Sequence, residues 1–184
     1  MSILNIIKYP DPFLKTHAAQ VKAVGEVSRL IADMIETMYA ANGIGLAAVQ
    51  VGAAARVIVL DVPDEEPDDD GEDRPRRRVK GKNLVALVNP EIVSATGTTV
   101  FEEGCLSLPG ETANVERAAE VRVKGLDRDG NPVEFDAAGL FAIALQHEID
   151  HLDGIVFIDR ISRLKREFIK RRLRKAAAAL EQAL

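Results

Sequence analysis

The sequence GLFAIALQHEIDHLDG, residues 139–154, carries the strongest helical pattern in the chain. Apolar side chains fall on most sides of a helix drawn over 137–152, so the spacing predicts a helix that is buried. Asp136 is suited to its N-cap, and Gly154 to the point at which it ends. A helix of this kind needs other elements packed around it, so we expect the fold to form about residues 137–152.

The elements predicted on either side of this helix indicate the fold class. Apolar residues at helical spacing predict a second helix over 25–41, ended by Asn42-Gly43, and a third, basic helix over 161–182. Strands and helices do not alternate regularly. The pattern therefore predicts an α+β fold with antiparallel or mixed sheets around the central helix. The predicted strands lie near 57–60, 84–88, 98–101, 120–126 and 132–136.

Composition restricts the function classes. The 184 residues, 47% hydrophobic and 29% charged, fit one globular domain over 1–184, and a single cysteine excludes a disulfide framework. A net charge of −5 and the absence of Trp argue against DNA binding and base stacking. The start has no cationic leader. The uncharged window 37–55 is too weakly hydrophobic to span a bilayer and is predicted as a buried loop and strand. We therefore expect a cytoplasmic protein without a membrane partner.

A charged segment separates two of the predicted strands. Nine acidic residues between Asp61 and Asp73 are followed by six basic residues between Arg74 and Lys82. Blocks of like charge are usually solvated. Residues 61–83 are therefore predicted to be a loop insertion outside the core.

The pattern H-E-x-x-H within the central helix indicates a metal site. His147 and His151 lie four residues apart, so they share one face about 6 Å apart along the axis and both can bind one metal ion. Glu148 is rotated by about 100° from His147, which places it beside the metal, where a water molecule would lie. The alternative is two core histidines with unrelated partners. The pattern favours a metal-dependent hydrolase.

A catalytic metal needs a third protein ligand and an open position. Phe157 stands where an extended peptidase pattern has its third histidine, and Glu167 lies in a basic run that suits a ligand poorly. The segment EEGCLSLPG, residues 102–110, contains the only cysteine, Cys105, between turn-forming residues. Cys105 is the preferred third ligand, and His17 is the alternative.

Three segments together resemble a known family. Gly43–Gln50, Glu103–Pro109 and Gln146–Gly154 are similar, in order and spacing, to the three signature motifs of the bacterial peptide deformylases. The resemblance covers nearly the whole chain, beginning at Pro10-Asp11-Pro12. It implies a metal-dependent hydrolase that removes the formyl group from N-formylmethionine of nascent polypeptides and releases formate. The segment 61–83 looks longer than is usual in the family.

The resemblance also implies the roles of individual residues. Cys105, His147 and His151 would hold one divalent metal ion, with Fe²⁺ favoured and Zn²⁺, Ni²⁺ or Co²⁺ possible. Glu148 would act as general base and then general acid, while the Gln50 amide and the Leu106 N–H would donate to the oxyanion. Glu103 and Arg117 are expected to support the site. The substrate would contact Ile44, Gly45, Gly104, Ile143 and Ala144.

The C-terminal helix suggests a partner. Nine basic residues and the single acid Glu167 lie between Arg160 and Lys175. A basic helix also resembles the ribosome-contacting element of the family, so we expect it to bind the ribosome through phosphates. The apolar positions expected to share its other side are Ile161, Leu164, Phe168, Leu173, Leu180 and Leu184.

Three other functions remain open from the sequence. One is a zinc peptidase or other metallo-amidase with the same histidine pattern. Another is a cysteine amidase that uses Cys105 as nucleophile. The last is a non-catalytic metal-binding or ribosome-associated module, although the presence of Glu148 and Gln50 favours catalysis.

Overall fold

Three helices and seven strands are present in the part of the chain that the computed structural model describes, residues 2–63 and 80–182. Most of the predicted loop insertion 61–83 lies outside these described residues. The helices are α1 (Ser28–Ala40), α2 (Gly139–Leu152) and α3 (Arg163–Glu181). The strands are β1 (Gly45–Ala47), β2 (Val57–Asp61), β3 (Leu84–Thr96), β4 (Thr99–Cys105), β5 (Leu108–Arg117), β6 (Glu120–Leu126) and β7 (Pro132–Ala138).

Two antiparallel sheets hold the strands. A five-stranded sheet has the order β1-β2-β3-β6-β7, and β4 pairs with β5 in a hairpin. The register between β3 and β6 shifts twice, between Val88 and Glu91 and between Ile92 and Ser94. The predicted α+β class with antiparallel sheets is confirmed.

Helix α2 packs its apolar side chains against the five-stranded sheet. Leu145, Ile149 and Leu152 belong to a core cluster that also contains Ile58 and Leu60 of β2. The helix ends where predicted, at Gly154, whose φ of +70° favours glycine and whose added Cβ would overlap the carbonyl group of Lys15. The helix is thus packed against the sheet on one side, and its C-terminal end lies against the backbone of Lys15.

The predicted N-cap of α2 is wrong. Asp136 lies in β7, opposite Arg122 of β6, and its carboxylate accepts hydrogen bonds of 2.8 and 2.9 Å from that guanidinium group. Pairing with β6 extends β7 as far as Ala138, which is the actual N-cap residue and offers no side-chain cap. Strand pairing therefore determines where the helix begins.

The predicted buried window 37–55 is buried over residues 45–50, whereas Ala40, Asn42, Gly52 and Ala54 are exposed. It contains β1 and a short 3₁₀ turn over Ala48–Val51, with Leu46 to Val49 fully buried. Met34 and Met38 of α1 are also fully buried and belong to the same cluster as Leu46. This second cluster fixes the glycine-rich segment from the side opposite α2.

Strand β5 is the element that the sequence pattern missed. Its alternate buried positions include the charged residues Glu111 and Arg117, and Pro109-Gly110 near its start is typical of a turn. Each buried charge has a partner in the fold: Arg172 for Glu111, and Glu103 for Arg117. A strand whose inward side chains are charged does not show the usual alternation of apolar and polar residues.

Helix α3 packs through residues other than those expected. Ile169 and Leu173 are buried against the hairpin and Phe157, whereas Leu164 and Phe168 are 71% and 60% exposed. The prediction that Leu164 and Phe168 share the packing side with Leu173 is therefore wrong; the side chain of Leu180 and residue 184 lie outside the described part. Neither α3 nor any other described helix has the length and apolarity needed to cross a membrane.

Candidate metal centre

Three side chains with metal-ligating atoms meet between the hairpin and α2. Cys105 Sγ lies 3.2 Å from His151 Nε2, which lies 3.2 Å from His147 Nε2. All three atoms lie within 4.8 Å of one another. One turn of α2 brings His147 and His151 together. Cys105 joins them from the end of β4, where the strand register shifts after Gly104. The structure thus joins the three predicted ligands into one group.

The alternative third ligand lies elsewhere. The backbone of His17 forms an isolated antiparallel β-bridge with Asp153, just beyond the end of α2. His17 does not belong to the group of ligand atoms. A thiolate and two imidazoles suit a tetrahedral divalent ion with one open position. The buried Glu148 Oε2 beside them has no hydrogen-bond partner among the described residues. Since a buried carboxylate oxygen rarely lacks a partner, this arrangement fits a metal ion that carries an exchangeable ligand.

The position of the Glu148 side chain depends on the absence of a side chain at Gly45. An added Cβ on Gly45 would lie 2.9 Å from both Cγ and Cδ of Glu148 and would overlap its Oε1, so the strand approaches α2 only because residue 45 has no side chain. Burial raises the pKa of Glu148 to about 7, against the opposing influence of His147 and Arg117. A carboxyl group with such a pKa can both accept and donate a proton near neutral pH.

The two histidines differ in their electrostatic surroundings. Burial lowers the pKa of His147, but its hydrogen bonds with Cys105 and Glu103 outweigh burial and raise it well above the ordinary value. Burial and the nearby His147 lower the pKa of His151 well below the ordinary value. A cation bound at the Nε2 atoms would compete with protons there.

Gln50 turns its amide group towards the centre. Its Oε1 accepts a hydrogen bond of 2.8 Å from the Ala47 N–H, which fixes the orientation of the amide. Its Nε2 donates to Ser107 Oγ at 3.2 Å and lies 3.5 Å from Cys105 Sγ. Gln50 is 2% exposed. An amide donor is therefore held rigidly next to the three ligand atoms.

A buried chain of charges lies behind the ligands. Glu103 Oε2 lies 2.8 Å from His147 Nδ1, and Arg117 donates to both oxygens of Glu103 at 2.7 and 2.9 Å. Arg117 also donates to Asp150, which accepts two further hydrogen bonds from Arg160. Burial raises the pKa of Glu103, but hydrogen bonds from Arg117 and His147 outweigh burial and lower it to about 2. The expected support by Glu103 and Arg117 is present; Asp150 and Arg160 are additional members.

A cavity of about 590 Å³ opens onto the group. Sequence reasoning missed three of its lining residues. Phe101 and Leu140 add apolar surface, and Lys8 donates a hydrogen bond of 2.7 Å to the Leu106 carbonyl oxygen. Phe101 and Leu140 lie in β4 and α2 beside the motifs but are ordinary apolar residues in the sequence, and Lys8 comes from the N-terminal segment, so no sequence signal marks these three. All five predicted substrate residues line it: Ile44, Gly45, Gly104, Ile143 and Ala144.

Comparison with known proteins identifies the family of the chain. A sequence profile described as Polypeptide deformylase matches residues 3–167. The chain belongs to the polypeptide deformylase family. Its sequence is 50% identical over 175 residues to a peptide deformylase of Thermodesulfovibrio yellowstonii, covering 95% of this chain and 98% of that one.

Solved structures of the family have the same fold. A peptide deformylase from Legionella pneumophila is 42% identical, with a TM-score of 0.83 over 98% of each chain. A peptide deformylase from Ehrlichia chaffeensis, solved in complex with actinonin, is 38% identical, with a TM-score of 0.83 over 96% of this chain and 98% of that one. The chain is accordingly an enzyme, a hydrolase of protein biosynthesis that acts in N-terminal methionine processing.

Proposed function

We propose that residues 1–184 form one cytoplasmic catalytic domain that removes the formyl group from N-formylmethionine of nascent polypeptides and releases formate. The family membership supports the reaction class. The observation that carries the proposal is the convergence of Cys105, His147 and His151 within 4.8 Å beside the buried Glu148. The cavity in front of them has room for a side chain of the size of methionine.

Cys105, His147 and His151 would hold one divalent metal ion. When bound, such an ion supplies Lewis acidity and lowers the pKa of a coordinated water molecule to about 7. A thiolate and two imidazoles are compatible with Fe²⁺, Zn²⁺, Ni²⁺ and Co²⁺. We favour Fe²⁺ because of the resemblance to the family motifs.

Glu148 is the proposed proton carrier. Its carboxylate accepts the proton released by the attacking water and then delivers it to the leaving amine, which is necessary because an amide anion is a poor leaving group. The raised pKa of Glu148, about 7, suits both directions of transfer.

Gln50 and Leu106 are the proposed oxyanion donors. As the formyl oxygen gains charge, the Gln50 Nε2–H and the Leu106 backbone N–H donate to it, and each such donor contributes about 2.7–4 kcal/mol to transition-state stabilisation. The hydrogen bond from Ala47 keeps the Gln50 amide in the required orientation. The Lys8 ammonium group donates a hydrogen bond to the Leu106 carbonyl oxygen, which holds the backbone on the other side of residue 106.

The remaining cavity residues would position the substrate. Ile44 and Gly45 line the cavity at the start of β1, and Gly104 lines it from β4. Both strands are at the edge of a sheet, which suits pairing with an extended peptide. Ile143 and Ala144 of α2 would contact the methionine side chain. The small residue at position 144 leaves room for that side chain beside the helix.

Formate release from formyl-Met-Ala-Ser by the anaerobically purified, metal-loaded enzyme tests the proposal. We expect turnover of the formylated peptide, no cleavage of unblocked Met-Ala-Ser, and loss of activity on chelation of the metal. Cleavage of the unblocked peptide would favour a zinc peptidase. Activity that resists a chelator but not a thiol alkylator would favour a cysteine amidase, with Cys105 as nucleophile.

We further propose that α3 contacts the ribosome. Arg163, Arg171, Arg174 and Lys175 are exposed on it, whereas buried Ile169 and Leu173 attach it to the body. Deleting α3 would expose that apolar cluster, so charge reversal is the cleaner test. Arg171→Glu with Arg174→Glu should weaken cosedimentation with ribosomes more than Lys22→Glu with Arg128→Glu, which changes the net charge equally elsewhere. Binding by the wild type should fall steeply with salt; equal, salt-independent binding by both double variants would exclude this role.

A further inference from the structure

A second groove adjoins the metal-site cavity. It has a volume of about 330 Å³ and lies between the β4–β5 hairpin and α3. Glu102 and Thr112 line both the cavity and this groove, so the two depressions adjoin at these residues. The other lining residues are Ala113 and Asn114 of the hairpin and Lys165, Phe168, Ile169 and Arg172 of α3.

The walls of the groove differ in how their charges are paired. Arg172 forms an ion pair with Glu111, and Glu102 accepts a hydrogen bond of 3.0 Å from Thr112 Oγ1. Lys165 is exposed, and its ammonium group forms no ion pair with any residue in 2–63 or 80–182. Phe168 presents a ring that is 60% exposed. The groove therefore offers one cation and one aromatic surface that intramolecular contacts leave available.

We propose that this groove binds the downstream part of the polypeptide substrate and favours an acidic side chain near Lys165 and an apolar one near Phe168. The inference rests on the proposed function, because it takes the occupant of the cavity to be the start of a polypeptide. A polypeptide whose first residue lies at the metal must leave the cavity, and the groove is a neighbouring depression that adjoins the cavity at Glu102 and Thr112. An extended chain advances about 3.3 Å per residue, and the proposal places the fourth and later residues of the polypeptide in the groove.

Helix α3 supplies the basic and aromatic side chains that the hairpin lacks. Between Gly110 and Asn114 the hairpin has no large basic or aromatic side chain, whereas Lys165 and Phe168 stand on the opposite wall. The Arg172–Glu111 ion pair and buried Ile169 hold α3 against the hairpin, so these two side chains keep a fixed place relative to the cavity. They are proposed as specificity determinants and have no part in the chemical step.

The experiment compares peptides of different length on the metal-loaded, full-length enzyme. The substrates are formyl-Met-Ala-Ser and octapeptides that extend it with either glutamate or lysine at the fourth to sixth positions. We expect kcat/KM to be about two- to fivefold higher for the acidic than for the basic octapeptide, the size of effect that one exposed ion pair produces. Lys165→Glu should remove or reverse that ratio and leave the tripeptide unchanged.

Two matched controls distinguish the groove from the general charge of α3. Lys175→Glu makes the same charge change on an exposed residue outside the groove and should keep the wild-type ratio. Phe168→Ala should lower kcat/KM for octapeptides with an apolar residue at these positions, whereas Leu164→Ala, an exposed residue outside the groove, should not.

Three outcomes would overturn the inference: equal kcat/KM for acidic and basic octapeptides, equal effects of Lys165→Glu and Lys175→Glu, or an equal loss for the tripeptide in Lys165→Glu. Normal turnover of the tripeptide without any dependence on downstream residues would reject the groove and leave the proposed function intact. Failure of the wild type to deformylate the tripeptide would instead reject the proposed function.

Discussion

Replacing Gly45 tests the arrangement of the site directly. An added Cβ would overlap the Glu148 carboxyl group and would lie 2.9 Å from its Cγ and Cδ, closer than real Cβ contacts. Gly45 is held by pairing with Leu60 of β2, and α2 is fixed in the core, so the carboxyl group must move. We therefore expect Gly45→Ala to displace Glu148 from the metal centre.

The displacement should affect both the rate and the stability. A positioned general base contributes about 10²–10⁴-fold to rate, so kcat for formate release should fall at least about a hundredfold. Metal content should stay unchanged, because Glu148 is not one of the three grouped ligand atoms. Inserting one methyl group into a tightly packed site costs about 1–3 kcal/mol, which urea denaturation of the metal-loaded enzyme would measure as a lower free energy of unfolding. Loss of a substrate contact alone would raise KM without lowering kcat.

A double-mutant cycle isolates the proposed overlap. In a Glu148→Ala background the carboxyl group is absent, so Gly45→Ala should then cost less than about 0.5 kcal/mol. Gly25→Ala is the matched control, because an added Cβ there meets nothing within 4 Å. Equal stability losses for Gly45→Ala in both backgrounds, or a kcat close to that of the wild type, would refute the steric argument.

Three other substitutions address the ligands and the charges behind them. Glu148→Ala should abolish deformylation while metal analysis still finds about one ion per chain, since Glu148 is not one of the three grouped ligand residues; loss of the metal would contradict this role. Cys105→Ser should weaken metal binding, because an alcohol is a poorer ligand than a thiolate; full metal content with unchanged activity would move the third ligand elsewhere. Arg117→Met should lower the free energy of unfolding in urea by about 3–5 kcal/mol, because it leaves the buried Glu103 carboxylate without its cation; a loss below about 1 kcal/mol would show that Glu103 finds another partner.

The three metal-ligand residues could be predicted from the sequence because short-range spacing and residue type are enough to single them out. His147 and His151 are placed on one face by the geometry of a single helix turn, and Cys105 is the only cysteine. Lys8, Phe101 and Arg160 could not be predicted in this way. Lys8 and Arg160 reach the site from other parts of the chain. Phe101 lies in β4 with Cys105, but its side chain is apolar and only the packing shows that it lines the cavity.

Helix α3 shows where periodicity is insufficient. Leu164 and Phe168 form one pair four residues apart, and Ile169 and Leu173 form another, displaced by about 140° around the helix. Both pairs satisfy helical spacing, and the sequence does not distinguish the one that packs. The fold selects Ile169 and Leu173 because the hairpin and Phe157 offer them an apolar surface, which leaves Phe168 at the groove.

The buried charges behind the metal centre are tolerated because each of them is paired with an opposite charge. Glu103 accepts the hydrogen bond of His147 Nδ1, which directs Nε2 of that ring towards Cys105 and His151. A carboxylate there needs a buried cation, and Arg117 provides it through two hydrogen bonds. Arg117 is in turn balanced by Asp150, and Asp150 by Arg160, which is nearer the surface. Two acidic and two basic groups thus cancel, so the histidine gains a fixed orientation without an uncompensated buried charge.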